Sequence, residues 1–423
     1  MPGFASLRHR IGLSTRGFSR EVRAAVAVDI SVTVLFAVFA GLTGPFNGII
    51  LRRELGASAT QLAILASAGA AFNLFSLLWV RALDGRAPLP YAVWPGFAAR
   101  SLFLLVPLIQ SPWGFVGVLA AGSLAGTLAE PANAAVVQRL YPREQRGRAL
   151  GMVRMTGGAV VIALAALAGK LLVLVDYRIL FPVAALFGMG ASLRQRRVPL
   201  PHTSGDHGER VSLRASWATV RSDDRFQRLL LGHFVFGCGI WLMMPATPLL
   251  LVDVLNASTA QVGMLAAVGG AAGLVGNLCW GRLVDGRSGS LVLRLVYTVG
   301  TISPLVYLIA DSPWLLLVTA VTDALMTSGL DLVWVMCVMD SAGQCRTAQY
   351  VAIASTLAGV RGIVCPLVTA ALIPTLGLRS VYVLAAIVMA SAVLIVSQTI
   401  RAEAQASLRA AAVRAPVREA ATA

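Results

Sequence analysis

"RALDGR" occupies residues 81–86 and "RLVDGR" residues 282–287, 201 positions apart in an otherwise apolar chain of 423 residues. The copies differ only at Ala82/Leu283 and Leu83/Val284, and each closes a long apolar run that carries a tryptophan just before it, Trp79 and Trp280. The kinship extends outward from these hexapeptides. "GASATQ" (56–61) recurs as "NASTAQ" (256–261), "SPW" at 111–113 returns at 312–314, Pro45 matches Pro245, and Glu130 matches Asp331. Agreement at separated places in one order makes the chain two copies of one unit. That is a parallel internal repeat.

Composition says where such a chain lives. It is 57% apolar and 13% charged, whereas a soluble domain is about half apolar and about a quarter charged. The apolar residues come in runs near the length of one bilayer crossing at about 1.5 Å per residue. These runs lie at 24–50, 59–80, 91–110, 113–138, 149–175 and 179–193, then at 228–252, 260–281, 291–310, 313–338, 348–373 and 379–400. The reading is an all-α integral membrane protein of twelve transmembrane helices in two pseudo-symmetric six-helix bundles, 24–193 and 228–400. Residues 1–23 form an N-terminal segment, 194–227 a polar linker with one short surface helix, and 401–423 a tail.

The net charge of +16 is topology and not a nucleic-acid surface. Of the 35 basic residues, 34 are Arg and one is Lys170; 27 fall on one side of the predicted spans and five (Arg52, Arg53, Lys170, Arg178 and Arg379) on the other. Basic residues are retained on the cytoplasmic side, so both termini and the linker are expected in the cytoplasm and the protein in the cell membrane. The five Cys all lie in the second half and read as small core residues, not a disulfide framework.

With the repeat and the spans in place, the chain resembles the major facilitator superfamily over nearly its full length. The connection after the second span is similar to that family's motif A, Gly-x-x-x-Asp-Arg-x-Gly-Arg. "GRLVDGR" supplies Gly281, Asp285 and Arg287, and "VRALDGR" supplies Asp84 and Arg86 with Val80 at the glycine position. "EPANAAVVQRLYPREQRGRALG" (130–151) is similar to the connection between the fourth and fifth spans of the twelve-span drug-efflux branch. Where antiporters of that branch carry Gly-Pro-x-x-Gly-Gly, this fifth span reads "GMVRMTGGAVV", and the fourth span lacks the Arg of many proton-coupled members. The resemblance implies a latch at Asp84, Arg86, Asp285 and Arg287 that locks helix ends when the cytoplasmic side closes. It also implies a carrier that works as a monomer on a small organic solute, with protons as a coupling ion.

Charges within hydrocarbon are costly and by default functional. Glu130 lies about 16 residues from the outer face, or about 24 Å deep. Arg154 and Asp29, each about five residues in from the cytoplasm, share that level, which suggests a Glu130–Arg154 pair with Asp29 nearby. Because Asp331 mirrors Glu130, these two acids and Arg154 are assigned to the cytoplasmic gate. Charges that break the repeat suit a solute better, since a solute need not respect it. Asp323 in span ten and Arg361 in span eleven reach similar mid-depth and are expected to pair, in binding or coupling or as a structural tie. Asp29 and Trp241 are further solute-facing candidates. Arg100 reads as peripheral and His233 as a satisfied interior histidine.

No Walker loop, nucleophile elbow or zinc helix occurs, so the sequence implies neither enzyme nor cofactor. His202, Asp206 and His207 in the linker lack the surrounding core that a metal site needs. The expectation is a secondary transporter, with export of an amphipathic or cationic compound favoured by the drug-efflux resemblance. The alternatives are uptake of a metabolite by the same fold and a transport-silent receptor or scaffold.

Overall fold

The computed structural model describes residues 18–74, 86–200, 221 and 223–420. Ser19 opens α1 (Arg20–Thr43), its hydroxyl accepting from the Val22 amide. Pro45 falls in a 3₁₀ turn, Gly44–Phe46, after which helix resumes as α2 (Asn47–Arg53); proline removes the donor that a continuous α-helix needs. α3 (Ala59–Asn73), α4 (Pro88–Ser101), α5 (Pro112–Leu140), α6 (Arg143–Leu174) and α7 (Tyr177–Gln195) complete the first half. The second half holds α8 (Asp224–Leu249), α9 (Thr259–Gly286), α10 (Gly289–Ile309), α11 (Leu316–Gly329), α12 (Val335–Leu376) and α13 (Leu378–Ala420). Among the described residues ten helices are long and apolar enough to cross a bilayer, and Ala59–Phe72 is a shorter apolar one.

The repeated sequence words are repeated structural devices. Ser58 and Ser258 each accept from the backbone of Gln61 or Gln261 and receive that side chain in return, identical capping boxes that open the second and eighth crossings. Both boxes follow a left-handed residue, Gly56 at φ +68° and Asn256 at φ +47°; these two residue types tolerate that conformation best. The two "SPW" copies are N-caps as well, Ser111 accepting from the Gly114 amide and Ser312 from the Trp314 amide.

Two stretches are more helical than the apolar runs suggest. Helix carries through the connection between runs 313–338 and 348–373, and α13 continues beyond residue 400 to Ala420. Arg379 pairs with Asp311 at 3.3 Å, which sets the start of the tenth crossing and the end of the eleventh at one membrane face. Phe226 meets both Trp334 and Tyr350, so the chain turns back between those residues and this helical stretch is two arms, not one straight rod. The linker residues 201–220, with His202, Asp206 and His207, lie outside the described residues.

Phe18 and Val22 share an apolar cluster with Tyr141 and Val198, so the start of α1, the end of α5 and the exit from α7 meet at one membrane face, here the terminal face. The opposite, far face carries Arg52, Arg53 and the α8–α9 connection. The halves join through two helix pairs, α6 with α9 and α3 with α12. Small residues line both seams. A Cβ on Gly169 would stand 2.6 Å from the Thr259 carbonyl oxygen and 2.9 Å from Gly263 Cα, and one on Gly362 would stand 2.4 Å from Ala70 Cβ. Such residues let backbones approach where lipid offers no hydrophobic drive between helices.

Candidate functional site

A cavity of about 830 Å³ lies chiefly in the first half and reaches α8 of the second. Phe36, Thr43 and Asn47 of the first crossing, Gly96 and Arg100 of α4, Ser123, Glu130 and Asn133 of α5, Gln195 of α7, and Trp241 and Pro245 of α8 are among its walls. The break at Gly44–Phe46 and the prolines of α8 bring backbone turns to its far end. Aromatic rings supply much of the apolar surface. Phe36 and Phe39 lie 6.2 Å apart and Phe39 meets Phe103 edge-on at 5.0 Å, while Trp241 packs against the Gly362 position of its own half.

Polar groups in the wall divide into satisfied and unsatisfied. Gln195 Nε2 donates to Asn133 Oδ1 at 2.8 Å. Asn47 Oδ1 has no partner among the described residues. The Glu130 carboxylate is exposed to the cavity, and no described residue pairs with it. Arg100, peripheral by its sequence position, belongs to this wall: its Nη1 donates to the Ser192 hydroxyl and its guanidinium lies 4.8 Å from the Phe36 ring centre. Its depth alone gave no sign of which way it points.

The other sequence candidates fall elsewhere. Asp29 lies outside the cavity lining and accepts from the Tyr141 hydroxyl at 2.7 Å, which ties α1 to the end of α5. Arg154 does not pair with Glu130; it stands within Coulombic range of Asp331 in the other half. Nor do Asp323 and Arg361 pair. Asp323 is held between α10 and α11, accepting from the Tyr307 hydroxyl at 3.1 Å, with Oδ1 lacking a partner among the described residues. The Arg361 guanidinium crosses instead to α8, donating to the His233 and Phe234 carbonyls and to His233 Nε2. Arginine has only donors, so Nε2 accepts and His233 Nδ1–H donates to the Tyr297 hydroxyl at 3.1 Å. His233 also stacks on Trp334 at 3.8 Å, a satisfied interior histidine. The geometric reason for the miss is that residues at one depth on neighbouring helices still point around the full circle.

Of the hexapeptides, Asp84 lies outside the described residues, and Arg86 donates to the Tyr91 hydroxyl at 2.7 Å. Asp285 and Arg287 are exposed, and no described residue bonds to either.

The far face is closed by a contact that depth reasoning passed over. Arg52 Nε donates to both carboxylate oxygens of Asp253 at 2.9 and 3.1 Å, and Arg53 donates to the Ala257 carbonyl. Asp253 sits on a π-turn, Leu250–Val254, and Asp331 on another, Leu330–Trp334. Such wide turns recur at functional positions because they re-aim side chains. An exposed ion pair contributes little, so Arg52→Ala is expected to raise far-side labelling of a cysteine placed at Asn47 about two- to fivefold. Maleimide labelling rates in membranes measure this, with Asp253→Ala giving the same increase.

The sequence pattern of the Major Facilitator Superfamily matches residues 30–285 and 229–421. Among solved structures, the nucleoside transporter NupG aligns at TM-score 0.70, with 10% identity over 89% of this chain and 99% of its own. A bacterial homologue of the human lysosomal transporter Spinster, inward-facing and occupied, aligns at TM-score 0.65, with 12% identity over 91% of this chain and 98% of its own. Identities this low establish likeness of fold alone. No curated protein sequence matches the chain.

Proposed function

Because this chain belongs to the major facilitator superfamily, we propose that it exports a small amphipathic cation by alternating access of its two halves, with Glu130 as the counter-charge. The observation that carries this reading is an unpaired carboxylate on the wall of an aromatic-lined cavity. A carboxylate in a low-dielectric wall favours a cationic partner, and rings accept apolar or cationic bodies. Few hydroxyl or amide groups line the cavity, which disfavours a polyhydroxylated solute.

The gates suit the export direction. The far face is bridged by Arg52 and Asp253, whereas Asp285 and Arg287 of the terminal-face latch are exposed. With the terminal face read as cytoplasmic from the basic-residue asymmetry, such a state would load a solute for export from the cell. The Spinster homologue solved inward-facing has a similar arrangement of helices. Closing the terminal face would bring Arg154 onto Asp331 and engage the latch at Asp84, Arg86, Asp285 and Arg287.

Flux of labelled organic cations in proteoliposomes tests the proposal. Export-direction flux that Glu130→Gln abolishes supports it. Absence of flux across a broad panel with folded protein leaves a binding-only membrane protein, and cation-independent uptake of a nutrient reverses the direction.

Asp323 takes the coupling role in this reading. It has hydroxyl neighbours and no cation among the described residues, so a proton can neutralise it without breaking an ion pair there. Asp323→Asn is expected to flatten the pH dependence of transport while leaving solute affinity within about twofold, since the group is outside the cavity wall. An unchanged pH profile of flux retires the assignment.

A further inference from the structure

Arg100 is held in a built slot. A Cβ on Gly188 would stand 2.9 Å from Arg100 Cδ and 3.1 Å from Cγ, and one on Gly96 would stand 2.8 Å from Nη1. Two helices thus keep bare backbone where the side chain passes. Ser192, one turn beyond Gly188 on α7, takes one N–H, and Phe36 lies beneath the guanidinium. The remaining donors of this forked group have no acceptor among the described residues, and the residue lines the cavity. Side chains placed this way, with a fork of unused N–H groups, suit oxyanions.

The spacing to Glu130 completes a two-point site. The Gly122 position lies 3.5 Å from the Ala99 carbonyl oxygen, so those residues are level across α4 and α5. The guanidinium turns back from there to the Gly96 position and to Ser192; Gln195, three residues past Ser192, meets Asn133, three residues past Glu130, so the two charged groups stand at similar depth. A cation receptor and an anion receptor therefore stand in one cavity, with no ion pair between them. The anion end is flanked by Phe36, Phe39 and Phe103, and the cation end by the amides of Asn133 and Gln195.

We infer that the solute is a zwitterion: its oxyanion is held by Arg100, its protonated amine by Glu130, and its apolar body lies between. This rests on the cation site at Glu130 proposed above and adds the second charge, which selects among cations. A simple amine fills half of the site and leaves a desolvated guanidinium without a partner, so it binds less well than the amino acid of matching length.

The test uses ω-aminocarboxylates of increasing chain length beside the matching alkylamines and ω-aminophosphonates. Binding is read by thermal stabilisation of purified protein and by transport in proteoliposomes. In the wild type, an intermediate-length zwitterion is expected to bind about tenfold or more tightly than its alkylamine. Arg100→Gln should erase that difference by weakening the zwitterion and relieving the alkylamine, and Glu130→Gln should weaken both. Gly188→Ala keeps the charge but displaces the side chain, and it should also lose the preference; this covers the case in which Arg100→Gln fails to fold. Carboxylate and phosphonate arms distinguish the two oxyanions, either of which satisfies the inference. Equal binding of amine and zwitterion, or a preference that survives in both variants, overturns it while the cation-export reading stands. Amine binding that ignores Glu130→Gln overturns both.

Discussion

Glu130→Gln is expected to lower the transport efficiency for cationic solutes by about two orders of magnitude, as when one partner of a desolvated charge pair is removed. The melting temperature should not fall. Both halves of that expectation come from one fact: the carboxylate lines the cavity and no described residue is bonded to it. A carboxylate that helped to hold helices together would lower stability when neutralised, because its partner would be left buried and unpaired. Glutamine keeps the size and removes the charge, so the loss should appear in affinity for cations and spare neutral solutes of the same shape. Flux, solute-induced stabilisation and melting temperature of the purified variant decide this together. A drop in melting temperature with unchanged cation selectivity would return Glu130 to a gate or packing role.

Gly169→Val should arrest the cycle from the opposite direction. The Cβ would press on the Thr259 carbonyl oxygen and on Gly263 Cα, and backbone atoms on both sides cannot turn aside as a flexible side chain would. Overpacking of this kind costs about 1–3 kcal/mol, an approximately 5- to 150-fold shift away from the closed far face. Gly263→Val meets the Ala165 carbonyl oxygen at 2.6 Å and Gly169 Cα at 2.9 Å, so it should do the same. Solute binding from the far side should persist while net transport falls, because the state open to the terminal face becomes rare. Transport measured beside far-side labelling of a cysteine at Asn47 checks the claim. Normal transport in both variants would mean that the seam is looser in the membrane than this packing implies.

Much of the fold was legible because bilayer physics writes it in coarse letters. Crossing lengths led to the spans, and the repeated "GASATQ/NASTAQ" words to the duplication. The cavity wall was harder to read. A helix between lipid and protein is apolar on every side, so the amphipathic stripe that orients a surface helix in water is missing. Depth came out of counting, but azimuth did not. That is why depth alone sends Arg100 to the periphery and pairs Asp323 with Arg361. One signal was present and unused: span eight carries Gly263, Gly269, Gly270, Gly273 and Gly276, a density of small residues that marks close helix approach. Arg52 and Arg53 were counted for topology and never asked for a partner.

The contact at the far face also constrains the history of the chain. Residues 45–61 align with 245–261 at a constant offset, so Gly48 and Pro248 are the same position in the two copies, and they touch: a Cβ on Gly48 would stand 2.8 Å from Pro248 Cγ. In a twofold dimer of identical subunits, a residue on the axis must meet itself. Doubling the second half would set proline against proline there. Doubling the first half would put arginine where Asp253 now receives Arg52, turning attraction into repulsion. Joining the two copies in one polypeptide released them from that symmetry, and each half has since become the complement of the other and a poor mate for itself.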